Sequence, residues 1–559
     1  MKKAVALLLA SSAPFWAAAE TVVADEAAAL AASPFRSVVI ADSLKGILIV
    51  GSWSQVKKNP ECRDGVYAEG VRLMADDPSI LSRLAGEFIG RPLTQDTLGK
   101  IKSDIAAFYC DQGQPFVLVS IPKQNPKCGV LQVVVDEAVL GNITVRGNKN
   151  FTPERLRGFI RGKPGTPIDG KQLVQDMARM NQNPFRRTDA IIRPGKKPGV
   201  ADLELATIDR WPYRFYMGAD NTGTIATERD RFFFGFNFGK TIVEDSEISY
   251  QFTCSPNWNR FISQTALCRI PFPARQTFIF YGGYTQVEPE LANTDDSEKS
   301  KCWQVDGRYR IPIITNTSFL QEFLIGFDYK QVIARIKRHN VEVFHDNVSI
   351  DQFMIGYDLG HRGLDHKVTL VAEIYGSPGG MSYGNTTKRF QIFRPGASSQ
   401  YVYGKLSHSF AYRFNDFWLS YDLNGQLSSK NLLPSEQFTL SGYYAVRGFE
   451  ERVVNVDNAL LFNFAIETPR ISIGKLAGWS RRSFDELYFL GFFDFGYGGN
   501  TNPLIGESRT VSLGSIGPGV RYQIDRYVTA RFDYGFQLWH HGFSNPTDSR
   551  YNFGLIVSF

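Results

Sequence analysis

Past residue 19 the chain contains no run of eighteen apolar residues. No later segment can therefore cross a bilayer as a helix, which needs about 20. Also missing are the Gly-x-Ser-x-Gly elbow, the phosphate-binding loop and His-Glu-x-x-His. Without them the chain offers no nucleophile, nucleotide or zinc-protease signature, and no catalytic residue or cofactor is expected. Cysteine is scarce and never spaced as CxxC, which removes the usual zinc pattern. The adjacent His540 and His541 sit at a strand end, where neighbouring side chains point to opposite faces, so they do not make a metal pair. Charge of one sign is scarce as well. The 62 basic and 56 acidic residues leave only +6, which a solvated surface explains and a nucleic-acid partner does not require.

Aromatic residues and glycine are abundant. The chain holds 43 Phe, 24 Tyr and 50 Gly among 559 residues. That richness without long apolar runs suits a β-barrel facing lipid. Residues 1–19 read as a signal peptide: Lys2 and Lys3 are basic, Ala4 to Ala13 apolar, and Ala17-Ala18-Ala19 a small-residue cleavage site. Export permits disulfides. Cys110 and Cys128 flank one predicted strand pair, and Cys254 and Cys268 flank a hairpin around Trp258, so both pairs are expected to be bridged. Cys62 and Cys302 are left over, open to a third bridge or to two free thiols.

Residues 20–34 are Ala-rich, a short helical segment stopped by Pro34. From 35 to 138 the pattern predicts strands at Ser37–Ile40 and Gly46–Val50, helices at Ser79–Phe88 and Thr94–Tyr109, and strands at Phe116–Ile121 and Val130–Val135. From 139 to 208 the same order recurs: a strand at Asn142–Gly147, helices at Thr152–Ile160 and Asp169–Asn181, and strands at Thr188–Ile192 and Asp202–Ala206. Phe88-Ile89-Gly90-Arg91-Pro92 aligns with Phe159–Pro164, which marks an internal repeat of two α+β modules. The first carries an insert at about Ser43 to Ala75.

From 209 to 559 strict two-residue alternation takes over. Phe532, Tyr534, Phe536 and Leu538 alternate with Arg531, Asp533, Gly535 and Gln537, and the chain ends on Phe559. A closed transmembrane antiparallel barrel is expected, since closure satisfies every backbone group in lipid. At roughly 22 residues per strand and connection it holds about sixteen strands. Polar stretches such as Glu288 to Lys301 are expected to be loops. Within 492–496, Phe492, Asp494 and Gly496 share one face while Phe493 and Phe495 share the other. A carboxylate on the lipid face is costly, so Asp494 belongs in the lumen, where it calls for a cation.

Two small modules before such a barrel resemble the TpsB transporters of two-partner secretion, the ShlB-, FhaC-, HecB- and CdiB-like outer-membrane proteins. Asn183-Pro184-Phe185-Arg186 resembles that family's POTRA signature, and Gly218–Thr224 resembles its entry into the first barrel strand. Val446-Arg447-Gly448-Phe449 resembles the motif at the tip of its long sixth extracellular loop, and Phe492-x-Asp494-x-Gly496 its wall motif. The resemblance implies that both modules are periplasmic POTRA domains and that Arg447 folds into the barrel to meet Asp494, latching the loop. It implies that Phe559 signals to the barrel-assembly machinery. It also implies that a monomer in outer-membrane lipid takes an unfolded TpsA-like exoprotein from the periplasm to the surface. An assembly factor of the same superfamily and a passive porin are the alternatives. One departure stands out: the family carries a long N-terminal plug helix. Here about fourteen residues precede the first module, reaching roughly 20 Å as a helix.

Overall fold

The computed structural model describes residues 39–71, 73–74, 77–114, 116–124, 127–197, 199–241, 245–272, 275–291, 295–315, 318–478, 485–544 and 547–559. The expected signal peptide and Ala-rich segment lie outside these residues. The chain divides into two compact units, Met1–Trp211 and Pro212–Phe559.

In the first unit, module 1 contains β1 (Val39–Ala41), β2 (Gly46–Val50), β3 (Gly65–Glu69), α1 (Ser79–Phe88), β4 (Leu93–Thr94), α2 (Gln95–Asp111), β5 (Val117–Ser120) and β6 (Val130–Glu137). Its sheet runs β3-β2-β6-β5, with β2 parallel and β5 antiparallel to β6. Helix α1 buries Ile80, Leu84 and Phe88, a four-residue spacing that puts all three on one face. Thr94 caps α2 by accepting the Thr97 N–H at 3.2 Å. Module 2 repeats the plan with β7 (Val139–Arg146), α3 (Pro153–Gly158), α4 (Gly170–Met180), β8 (Arg186–Pro194) and β9 (Val200–Asp209). Here β7 is parallel and β8 antiparallel to β9. Module 1 has three further strands: β1 and β4 pair with each other, and β3 lies parallel along β2. The expected insert at Ser43 to Ala75 starts too early, because β2 lies parallel to β6 as β7 does to β9 and is the module's own first sheet strand.

The disulfide differs from both expected pairings. Cys62, in the insert, is bonded to Cys128, and Cys110, Cys254, Cys268 and Cys302 are free. Cys110 lies next to Tyr109, whose hydroxyl donates to Glu137 at the far end of β6. Cys128 precedes the near end of that strand, roughly 25 Å away at ~3.3 Å per residue. In the barrel, Cys254 faces Ile262 and Cys268 faces Ile248. Six residues of strand, roughly 20 Å, separate them, far beyond the ~7 Å that a disulfide spans between Cα atoms.

The second unit is a closed antiparallel barrel of sixteen strands. In order they are β10 (Tyr213–Asp220), β11 (Arg231–Phe238), β12 (Glu247–Cys254), β13 (Phe261–Pro271), β14 (Thr277–Val287), β15 (Ser297–Thr315), β16 (Phe319–Arg338), β17 (Val341–Arg362), β18 (His366–Pro378), β19 (Gln400–Phe414) and β20 (Phe417–Ser428). A small ladder of β21 (Phe438–Thr439) and β22 (Asn455–Val456) stands apart, and the wall resumes with β23 (Asn458–Glu467), β24 (Asp485–Gly499), β25 (Val511–Ile524), β26 (Val528–His541) and β27 (Ser549–Ser558). Gly218–Thr224, expected at the entry to the first strand, occupies the end of β10 and the turn after it. Of the polar stretch 288–301, expected to be loop, Ser297–Lys301 instead begins β15 and pairs with β16. Strands β15, β16 and β17 run 19, 20 and 22 residues, against the ~9–11 that a bilayer needs. The excess stands in water, where a paired strand needs no apolar face.

Parity separates the two faces. Phe232, Phe234, Phe353, Ile355, Phe532 and Tyr551 are exposed outward, whereas Asp328, Gln352, Asp494 and Asp533 are buried inward. At the end opposite the two chain termini of the barrel, two connections are long and turn into the lumen. Loop 5, residues 379–399, carries helix α5 (Thr387–Phe393), and loop 6, residues 429–457, carries β21 and β22. Phe390 and Ala397 of loop 5 and Leu432 and Leu433 of loop 6 form an apolar cluster with Val348, Ile350, Tyr401 and Tyr403 of the wall. A second cluster joins Leu440, Val446 and Phe449 of loop 6 to Leu461 and Leu513.

Candidate functional site

The tip of loop 6 lies on the inner faces of β23 to β26. The Arg447 Nε and Nη2 donate to the two Asp494 oxygens at 2.7 and 2.8 Å, a bidentate fork. The Arg447 backbone N–H adds a third bond to the same carboxylate at 3.1 Å, and Asn463 Nδ2 a fourth at 2.8 Å. Asp494 is 0 % exposed, so each of these bonds replaces water that the carboxylate has lost. The guanidinium also sits 3.5 Å from the Phe492 ring centroid, a cation–π contact. Gly496 leaves room for Val446, since a Cβ there would lie 3.1 Å from a Val446 methyl. All three wall-motif positions thus face the loop tip: a ring to stack on, a charge to pair with and a gap to fill.

The other loop residues are seated as firmly. Gly448 has φ +88°, a left-handed conformation open to glycine at little cost, and its backbone lies on Gly535 of β26. Phe449 is fully buried and meets the rings of His540 and Phe543. Asp533, 3.6 Å from Arg447 Nη1, and Gln537, which donates to the Gly448 carbonyl at 2.7 Å, complete the seat. Sequence motifs did not single out Asp533, Gly535 and Gln537 as partners of the loop, although alternation puts them on one face.

Loop 6 is fastened at both feet as well. Glu436 accepts from Lys330 Nζ at 2.7 Å and from the Tyr403 hydroxyl at 2.8 Å. Asp457 accepts from Arg394 of loop 5 at 2.6 Å, from the Leu432 N–H at 3.0 Å and from the Thr501 N–H at 3.1 Å. Loops 5 and 6 and the loop after β24 therefore meet on one buried carboxylate.

Asn183, Pro184, Phe185 and Arg186 lie far from this in sequence and build the interior of module 2. The Asn183 side chain accepts the Phe185 N–H at 3.0 Å, and Phe185 is buried in the module core. Arg186 donates to the Met180 carbonyl at 2.9 Å and stacks between Phe151 and Phe159. Arg210 of the exit segment donates to the Pro184 carbonyl and lies over the Phe185 ring. Phe559 is 68 % exposed, and its backbone exchanges two hydrogen bonds with Phe215 of β10.

Residues 199–503 match the family model of the haemolysin secretion/activation proteins ShlB/FhaC/HecB. The chain belongs to this family. Its members are outer-membrane transporters of two-partner secretion, with periplasmic POTRA domains, and residues 64–138 match the ShlB-type POTRA domain. The transporter is 24 % identical over 144 residues to the outer membrane transporter CdiB of Dickeya dadantii, a match spanning 26 % of this chain and 25 % of that one. It is 19 % identical over 464 residues to the heme/hemopexin transporter protein HuxB of Haemophilus influenzae, covering 79 % and 77 % of the two chains. The solved structure of CdiB from Escherichia coli superposes with a TM-score of 0.73 at 15 % identity, over 99 % of this chain and 93 % of that one. The loops after odd-numbered barrel strands, 5 and 6 among them, accordingly face the cell exterior.

Proposed function

We propose that this transporter takes one unfolded TpsA-like exoprotein from the periplasm, threads it through the barrel as an extended chain and releases it to fold outside. The observation that carries this reading is a lumen occupied by two of the barrel's own loops, held on buried ion pairs. Such loops form a gate that can be unseated. A passive porin needs a standing aqueous channel, and two loops pinned to the inner wall argue against one. In this reading the chain has no catalytic role or cofactor. Folding of the passenger outside supplies the free energy.

The periplasmic modules receive the passenger. Strand addition at an exposed sheet edge suits an unfolded partner, because main-chain hydrogen bonds supply affinity whatever the side chains. The edges are β3 and β5 in module 1 and β7 and β8 in module 2. Residues 1–19 direct export, and Phe559 guides assembly of a monomeric barrel by the assembly machinery. Arg447 and Asp494 hold loop 6 in its resting seat. The test is a search of the adjacent reading frame for a large exported protein, followed by a deletion strain probed for its secretion. Loss of that protein from the medium, restored by the intact gene, supports the assignment, and undiminished secretion rejects it.

A further inference from the structure

We propose that Glu450 is a positioning residue that makes closure of the barrel seam depend on loop 6 being seated. The seam is where β10 meets β27. These strands are the two ends of the barrel, so no hairpin joins them. Their ladder runs from Tyr216–Ser558 to Asp220–Gly554. Toward the cell exterior β27 continues to Ser549, but β10 has ended.

Side chains fill the gap. Asn221 stands in for the missing strand: its Nδ2 donates to the Tyr551 carbonyl at 2.9 Å, and its Oδ1 accepts the Phe553 N–H at 3.0 Å. Arg550 of β27, buried, donates Nη2 to the Asn221 carbonyl at 2.8 Å. Arg229, after the turn that follows β10, points at the same place. Between the two guanidinium groups sits Glu450, 3 % exposed. One oxygen accepts from Arg229 Nη2 at 2.8 Å and the other from Arg550 Nη1.

Glu450 comes from loop 6, two residues past Gly448. Gly448 rests on Gly535, and Gly535 is the register partner of Arg550. Seating the Val446–Phe449 tip therefore delivers a carboxylate to the seam. When the loop leaves, it takes the shared counterion with it. Two like charges then face each other across an unlinked seam, one of them buried and stripped of its partner, which is costly. Loop seating and seam closure share one coupling free energy, acting equally in both directions.

The test is hydrogen exchange on the full-length protein in lipid. Glu450→Gln is expected to raise exchange at least tenfold at Tyr216–Asp220 and Gly554–Ser558 while β16 and β17 keep wild-type protection. Arg447→Ala, which unseats the loop, is expected to loosen the same seam, and the double variant no more than the looser single one. Adding Arg229→Gln to Glu450→Gln is expected to restore part of the protection, since it removes the repulsion between the two charges but leaves Arg550 buried without its carboxylate. A filler role for Glu450 predicts no such rescue. Unchanged seam exchange in Glu450→Gln overturns the proposal, as does a rise spread evenly around the barrel or the absence of rescue. Should Glu450→Gln fail to assemble, assembly regained with Arg229→Gln supports it and assembly still lost overturns it. Exchange needs no passenger, so failure here leaves the transport proposal untouched.

Discussion

Gly448 of loop 6 and Gly535 of the wall touch backbone to backbone: a Cβ built on Gly535 would lie 2.6 Å from the Gly448 Cα and 2.5 Å from its nitrogen. The wall strand cannot retreat, because it belongs to a closed barrel, so the loop must give way against the hold of Arg447. Gly535→Ala is therefore expected to lift the loop tip while leaving the barrel closed, since Gly535 pairs in register with Arg550 of β27. Overpacking of this kind costs about 1–3 kcal/mol, roughly a 5- to 150-fold shift toward the unseated loop. Limited proteolysis of loop 6 in intact cells measures it. Cleavage at the wild-type rate in Gly535→Ala means that the close contact does not hold the loop.

The Arg447–Asp494 fork makes a second prediction. Lysine keeps the charge but cannot present two parallel donors. Arg447→Lys should seat the loop partially. Arg447→Ala should strand a buried carboxylate, a loss of about 3–5 kcal/mol. Exchanging the two residues should not restore seating, because Asp494 also holds Asn463 and the Arg447 N–H. Passenger secretion is expected to fall in the order wild type, Lys, Ala. Wild-type secretion by Arg447→Ala would remove the latch from the mechanism.

What could be read in the sequence was whatever repeats along the chain. Two-residue alternation placed Asp494 inward and implied a barrel of about sixteen strands, and the doubled α+β pattern disclosed both modules. Contacts between distant segments left no such trace. Asp533 and Gly535 showed the right parity, but nothing in the chain states that residue 448 lies over residue 535. Helix α5 spans seven residues, too short for a periodic signal, and its burial comes from Tyr401 of β19 and Leu432 of loop 6. The disulfide was missed for the same reason. Cysteines flanking a hairpin are near in sequence, yet register decides their spacing, and the true partner of Cys128 arrives through the insert.

That bridge is testable directly. Cys62 and Cys128 close a loop of 66 residues, for which chain-entropy arguments give about 4 kcal/mol. Cys62→Ser should lower the first unfolding transition of the periplasmic unit and leave barrel unfolding unchanged. Non-reducing peptide mapping should yield a 62–128 linked pair and unmodified thiols at 110, 254, 268 and 302. A 254–268 linked pair would contradict the barrel register itself.

Module 2 should lose stability in acid through Asp209. Burial opposes its charge, but the backbone N–H groups of Asn150, Lys149 and Phe151, at 2.8, 2.9 and 3.1 Å, outweigh that and hold its pKa below the ordinary 3.8. The carboxylate thereby pins the turn after β7 to the last residue of β9. A folded-state pKa lower than the unfolded one gives stability that is fully present above the unfolded value and fades as the pH falls through the folded one. Asp209→Asn keeps the shape and removes the charge. Because the group is only partly buried, screening limits the loss to about 1 kcal/mol, a few degrees in the unfolding midpoint of a small module. At pH 7 the variant should melt below wild type. In acid, once the pH has fallen through the lowered folded-state value, the two should converge, because the wild-type carboxyl is then neutral too. Melting curves of the periplasmic unit at both pH values decide it: a gap that persists undiminished in acid means that the carboxylate's charge is not what holds the turn.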